Sequence, residues 1–214
     1  MMIAHKTTKL LIVGGNGTGK TTALVRFALG ALHTGAAGRL YVFDGEGELA
    51  GRLGVPAIYN AAGLARALDS SAPVLVFDPA DEFPGDRAGA FDFFADVVFH
   101  YSKHRAGTKL FVADEIQFTL TSDRLSAPVA TLLETGRRAG VDFVAAAQGT
   151  NAVNTRLRNQ LTALAAFRTL DDRAQRFLVE VGFDAEELRA LPDGSCIVRD
   201  LRTGEPPARL KMFT

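Results

Sequence analysis

The sequence predicts an α/β domain, a mostly parallel sheet held between helices and closed by a C-terminal β-hairpin. Three observations carry this. Short apolar runs alternate with helix-length segments through most of the 214 residues. Several runs are continuous, as in strands buried on both faces. Polar punctuation falls just after the runs, at Gly14–Thr22, Asp44–Glu48, Asp114–Glu115, Gln148 and Arg168. That is where open parallel sheets bind ligands.

Each element follows in order. Residues 1–8 are a polar lead-in. Lys9–Val13 reads as a buried strand, and the segment from Thr22 to about Leu32 has helical periodicity, broken by the glycines of 34–38. Arg39–Phe43 is a second strand. A short strand is expected over 56–59, a helix over 61–70, and a strand over 73–78 stopped by Pro79. A long helix is expected from about Asp86 to Lys103, carrying Asp92 and Asp96 on a solvated stripe and a basic end around His100, Lys103, His104 and Arg105.

Thr108–Ala113 is a strand ending in Asp114 and Glu115, expected beside the first strand. Ser126, before Ala127 and Pro128, is a candidate N-cap for a helix reaching about Arg138 and ended by Gly140. Val141–Ala147 is a strand ending in Gln148, and 149–155 reads as a polar loop. A strand over 161–167, helices over 171–181 and 184–191, and a hairpin from 195–199 and 208–213 complete the chain. No repeat or interdomain linker is visible, so residues 1–214 are expected to form one domain.

Composition narrows the classes. Hydrophobic residues make up 47% and charged residues 22%, a globular balance. Net charge is zero, so any nucleic-acid contact must come from a local patch or from assembly. Cys196 is the only cysteine, which excludes an intrachain disulfide and suits a reducing interior. The N-terminal stretch does not read as a signal peptide, and no apolar run approaches the roughly 18 residues of a membrane span.

The strongest motif is Gly14-Gly15-Asn16-Gly17-Thr18-Gly19-Lys20-Thr21-Thr22. It has the spacing of a phosphate-binding loop, in its required place between a strand and a helix. Its glycines permit backbone conformations that a Cβ forbids, so several N–H groups turn toward one point at a helix N-terminus. Gly15, Asn16, Gly17, Thr18, Gly19, Lys20, Thr21 and Thr22 are the expected ATP-binding residues. Lys20 would reach the β- and γ-phosphates, Thr21 would place its hydroxyl on Mg²⁺, and Thr22 would face the α-phosphate.

A strand ending in two acids would, alone, read as an acidic turn. Paired with the loop, Asp114 reads as a Mg²⁺ carboxylate and Glu115 as the base that orients and deprotonates the attacking water. Gln148 can both donate to a phosphate oxygen and accept from water. Arg137 and Arg138 precede Gly140, where either would serve as a cation acting on a neighbour's nucleotide, or simply as a helix-end cap.

This order of motifs resembles the FtsK–HerA superfamily of DNA-pumping ATPases. Gly14–Thr22 and Leu110–Glu115 are similar to its two nucleotide motifs, and Asp44–Glu48 to its acidic segment after strand two. Gly136–Gly140 leading to Gln148 is similar to its arginine-finger stretch and sensor glutamine, which puts Arg137 in the finger position and Arg138 second. Arg158–Gln160, Phe167–Arg168 and the closing hairpin match as well. Gly149–Thr150 departs from the family's usual Arg-Pro.

The resemblance implies a RecA-like P-loop NTPase core. It also implies ATP and Mg²⁺ as cofactors, double-stranded DNA as cargo, and a homo-oligomeric ring, with a hexamer as the expected size. A bare core of this length looks most like viral genome-packaging ATPases, with capsid or portal vertex proteins as partners and the host cytoplasm or virion as location. Conjugation, plasmid mobilisation and filamentous-phage assembly are the alternative settings; a nucleotide switch or small-molecule kinase is the alternative from another class.

Overall fold

The computed structural model describes residues 7–120, 125–150 and 153–211. Most of the expected lead-in, Asn151 and Ala152 of the polar loop, and the last residues of the closing strand lie outside the described residues. Within them, nine strands form one sheet: β1 (Lys9–Val13), β2 (Arg39–Phe43), β3 (Ala57–Ile58), β4 (Val74–Phe77), β5 (Lys109–Ala113), β6 (Val141–Ala147), β7 (Ala163–Phe167), β8 (Ser195–Asp200) and β9 (Ala208–Lys211). The spatial order is β3-β4-β2-β5-β6-β1-β7-β8-β9. Strands β1 to β7 pair in parallel, while β8 and β9 run antiparallel as the expected hairpin.

The helices are α1 (Lys20–His33), α2 (Leu49–Leu53), α3 (Ala61–Asp69), α4 (Arg87–Ser102), α5 (Ala127–Thr135), α6 (Thr155–Arg158), α7 (Asp172–Glu180) and α8 (Ala185–Ala190). They cover the sheet unequally. Alternate strand residues Leu11, Tyr41, Phe43, Phe77, Phe111 and Phe143 face a large core closed by α3, α4, α5, α7 and α8. The intervening residues Leu10, Ile12, Leu40, Val42, Val112 and Ala146 face α1 and α2. This two-sided burial is why the runs are continuously apolar.

Aromatic rings fix the larger core. Phe94 stacks on Phe77 at 5.4 Å, and Phe91 meets Phe43 edge-on at 5.0 Å. Each fully buried ring contributes about 1.5–3 kcal/mol. On the other face, Ala146 of β6 and Ala163 and Ala165 of β7 are small residues in the core that α1 closes.

Most helix starts are capped by side chains, as expected for exposed N–H groups. Asn60 caps α3, Asp86 caps α4, Asn154 caps α6, Asp171 caps α7 and Asp184 caps α8. Helices α1, α2 and α5 have no side-chain cap, and in α1 the N-cap residue is Gly19.

Three expectations change, and a fourth is refined. Strand β5 is not beside β1, because β6 inserts between them. The helix after Ser126 ends at Thr135, and residues 136–139 tighten into a 3₁₀ turn before Gly140, whose φ is 69°. Ser126 sits at the N-cap position, but its hydroxyl donates to Asp92 Oδ1 at 2.5 Å, so Asp92 is a packing contact between helices and not merely solvated. The described residues after Gln148 are loop-like up to Asn154, as expected, but they are not open to solvent: Gly149, Thr150 and Val153 are buried, and Thr150 donates to the Ala174 carbonyl at 2.8 Å.

Candidate functional site

The C-terminal edges of β1, β5 and β6 meet at one place because these strands are neighbours and parallel. The chain leaves β1 through the glycine loop. Gly17 and Gly19 have φ of 70° and 106°, conformations that side chains rarely adopt. A Cβ on Gly14 would lie 2.6 Å from Phe167 Cβ, so that position has no room for one. The loop is braced from outside: Gly15 N donates to Arg168 O at 2.9 Å, and Gly194 N donates to Thr18 O at 3.2 Å. Inside it, the Thr18 hydroxyl donates to Gly15 O at 2.8 Å, while Asn16 and Gly17 stand exposed at the tip.

Lys20 opens α1 and is buried, 5% exposed. Its ammonium donates to Gly15 O at 3.0 Å, folded back along the loop. Burial pushes its pKa below the usual lysine value, and the Glu115 and Asp114 carboxylates oppose that shift. Thr21, one residue on, hydrogen-bonds the Asp114 carboxylate, and Thr22 is half-buried on the same turn. Burial raises the Asp114 pKa, while the hydrogen bonds from Thr21 and from Glu115 N, at 2.9 Å, hold it down.

Glu115 is the one non-glycine with positive φ among the described residues, at 49°. The left-handed turn aims its carboxylate along the sheet edge. There it accepts from Gln148 Nε2 at 3.1 Å and from Gln117 Nε2. Gln117 also accepts from Gln148 N at 3.3 Å, which ties the ends of β5 and β6 together.

Thr21, Asp114, Glu115 and Gln148 line one cavity of about 430 Å³, within the range of small-ligand sites. Its far wall is the acidic segment after β2. Asp44 is buried and fully used there, accepting from Glu48 N and Ala50 N, both at 2.9 Å. Glu46, Glu48, Arg87 and Phe118 complete the wall.

The residues fit a nucleotide and its metal. An uncapped helix of 14 residues and a left-handed glycine loop offer N–H groups to phosphate oxygens, with Lys20 at their base. A hydroxyl and a carboxylate already in contact suit Mg²⁺, which takes one or two protein oxygens and completes its shell with phosphates and water. Among the described residues no group of three or more His, Cys, Asp or Glu side chains forms a metal cluster, and such a magnesium site needs none.

Of the residues expected from the sequence, Lys20, Thr21, Asp114, Glu115 and Gln148 come together. Arg137 does not. It lies in the 3₁₀ turn that precedes β6, at the opposite edge of the sheet from Gln148. Seven strand residues separate them, roughly 20 Å. Arg137 and Arg138 are both exposed, and neither side chain has a hydrogen bond or ion pair among the described residues. Sequence reasoning missed Gln117, whose only signal is its place two residues after Glu115. It also missed the Arg87–Glu46 ion pair, which joins segments 41 residues apart and has no local signature.

No family model matches the chain, and no curated protein does. Solved structures do. The genome packaging NTPase B204 from Sulfolobus turreted icosahedral virus 2, in complex with AMPPCP, superposes with a TM-score of 0.78 at 16% identity, covering 97% of this chain and 98% of that one. Its complex with ATP-gammaS gives a TM-score of 0.74 over the same shares. The plasmid coupling protein TrwB in complex with ADP and Mg²⁺ gives 0.73 at 14% identity, covering 96% and 84%. At these identities the likeness establishes the fold: the chain has the α/β architecture of these P-loop NTPases, as expected.

Proposed function

We propose that the chain is an FtsK–HerA-type ATPase that couples ATP hydrolysis to movement of double-stranded DNA, packaging a viral genome into a preformed capsid from the host cytoplasm. The carrying observation is the convergence of Thr21, Asp114, Glu115 and Gln148 on one cavity beside the loop that holds Lys20, while Arg137 projects from the opposite edge with no ion pair among the described residues. The B204 and TrwB likenesses support a nucleotide-driven machine of this fold.

The geometry supports the following roles. Residues Gly15 to Thr22 bind the triphosphate, and Lys20 neutralises charge on its β- and γ-oxygens. Thr21 and Asp114 would hold Mg²⁺, which would supply Lewis-acid stabilisation of phosphate charge when bound. Glu115, oriented by Gln117 and Gln148, accepts a proton from the attacking water; Gln148 is placed to position that water. Arg137, remote from its own subunit's cavity, completes the site of the next subunit in a homo-oligomeric ring, with six as the expected number. The TrwB likeness favours conjugative DNA transfer as the second reading, with the same chemistry in another setting.

The test is ATP turnover by the full chain with and without double-stranded DNA, beside Glu115→Gln. Strong stimulation by DNA, lost in the variant while ATP binding persists, is the expected result. Turnover indifferent to DNA would move the chain toward a kinase or a protein-activated machine. ATP binding without turnover in any assembled state would point to a nucleotide switch.

A further inference from the structure

The cavity is electrostatically odd for a phosphate site. Asp44, Glu46, Glu48, Asp114 and Glu115 all line it, and among the described residues Arg87 is the only basic side chain that does. Asp44 is committed to backbone N–H groups and Asp114 to Thr21, but Glu46 and Glu48 are free of such duties at their carboxylates except for arginine partners. A triphosphate entering this cavity brings its terminal charge toward these carboxylates, where a further cation would favour it.

Arg87 is well seated to supply the missing charge. It is the first residue of α4, and the Asp86 side chain caps that turn through Gly89 N at 2.8 Å, so the backbone is fixed. Both guanidinium nitrogens engage both oxygens of Glu46, one pair at 3.3 Å and the other closer. The guanidinium also lies 5.7 Å from the ring centroid of Phe118, itself 52% exposed on the turn that follows Glu115. The Arg87 and Glu46 side chains are 43% and 40% exposed. An ion pair that open to water is weakly held, whereas a guanidinium binds phosphate through two parallel hydrogen bonds.

We infer that Arg87 is a further phosphate-binding residue, contacting the terminal phosphate of a nucleoside triphosphate within its own subunit, and that Glu46 holds it until that phosphate arrives. The pair then distinguishes triphosphate from diphosphate, the γ-phosphate being the group that exchanges for Glu46. Phe118 provides the surface along which the guanidinium swings. This rests on the nucleotide-binding reading above and adds to it a cation in the same subunit, distinct from Arg137.

Calorimetric binding of AMPPCP and of ADP, each with Mg²⁺, to the full chain tests it. Arg87→Gln is expected to weaken AMPPCP by about tenfold or more and to leave ADP nearly unchanged. Glu46→Gln is expected to tighten AMPPCP relative to ADP, and Arg87→Lys to recover part of the preference. Equal changes for both nucleotides in Arg87→Gln, with Glu46→Gln leaving their ratio untouched, would reduce Arg87 to a pin between the acidic segment and α4 and overturn the inference. Lys20→Ala separates the two levels. If wild type binds neither nucleotide, or Lys20→Ala binds as well as wild type, the nucleotide reading itself falls and this one with it. If wild type binds, Lys20→Ala does not, and Arg87→Gln keeps the wild-type ratio, this inference alone is overturned.

Discussion

Glu115 occupies a backbone conformation that costs an L-residue with a Cβ about 1–2 kcal/mol, and it does so beside a second half-buried carboxylate, Asp114. Strain of this kind persists where the side chain must point somewhere the sheet edge would not otherwise send it. Replacing Glu115 with glycine removes the strain and one acid from the cavity. The expected outcome is a stability gain of about 1 kcal/mol together with loss of ATP hydrolysis, read by thermal denaturation and phosphate release. Cys196 behaves oppositely: it is 1% exposed, and burial pushes its thiol up to about 11. The thiolate fraction at pH 8 is then about one in a thousand, so Ellman's reagent should react only after guanidinium unfolding. Because the folded value lies above the ordinary 9.0, stability from this burial is complete below pH 9 and declines as pH rises toward 11. At this scale Lys20, Thr21, Asp114 and Glu115 were legible because each belongs to a contiguous motif. Arg87 was not, since its meaning comes from Glu46, which only the fold brings near.

Lys109 shows what an element boundary can hold. It begins β5, is buried, and its ammonium donates to the carbonyls of Ser102 and Ala139, both at 3.2 Å, and of Arg105. One side chain thus joins the end of α4, the start of β5 and the turn that carries Arg137. Lys109→Met leaves those carbonyls without their donor, and a loss of roughly 2–3 kcal/mol is expected in urea denaturation. Gly140 closes the same turn: a Cβ there would meet the Gly107 carbonyl oxygen at 2.8 Å, in a conformation unfavourable to alanine. The strands were readable from apolar runs, but their order was not. Nothing in the local sequence of Val141–Ala147 says that it pairs with both β1 and β5, because parallel neighbours are chosen by crossover connections and not by adjacency in the chain. Helices α2 and α6 have 5 and 4 residues, too few for a period to emerge.

Over the whole molecule the zero net charge conceals a polarity. The cavity at the C-terminal edge of the sheet is lined by five carboxylates, and the far edge presents Arg137 and Arg138 beside the end of α4, where Lys103, His104 and Arg105 follow. Two such edges complement each other head to tail, and a head-to-tail contact is heterologous, closing into a ring when its rotation allows. In the ring proposed above, each catalytic site is therefore shared: loop and carboxylates from one subunit, arginine from the next. Lys20→Ala destroys a subunit's own site but leaves its Arg137 to serve a neighbour; Arg137→Ala does the reverse. Each variant alone should lack DNA-stimulated ATPase activity. Mixed in equal amounts with exchange of subunits, about a quarter of the interfaces would join an intact site to an intact arginine, and activity should reappear in roughly that proportion. No recovery, with assembly confirmed by particle mass, would confine Arg137 to its own subunit or to a structural part. Recovery with Arg138→Ala in place of Arg137→Ala would move the shared cation one residue along the turn.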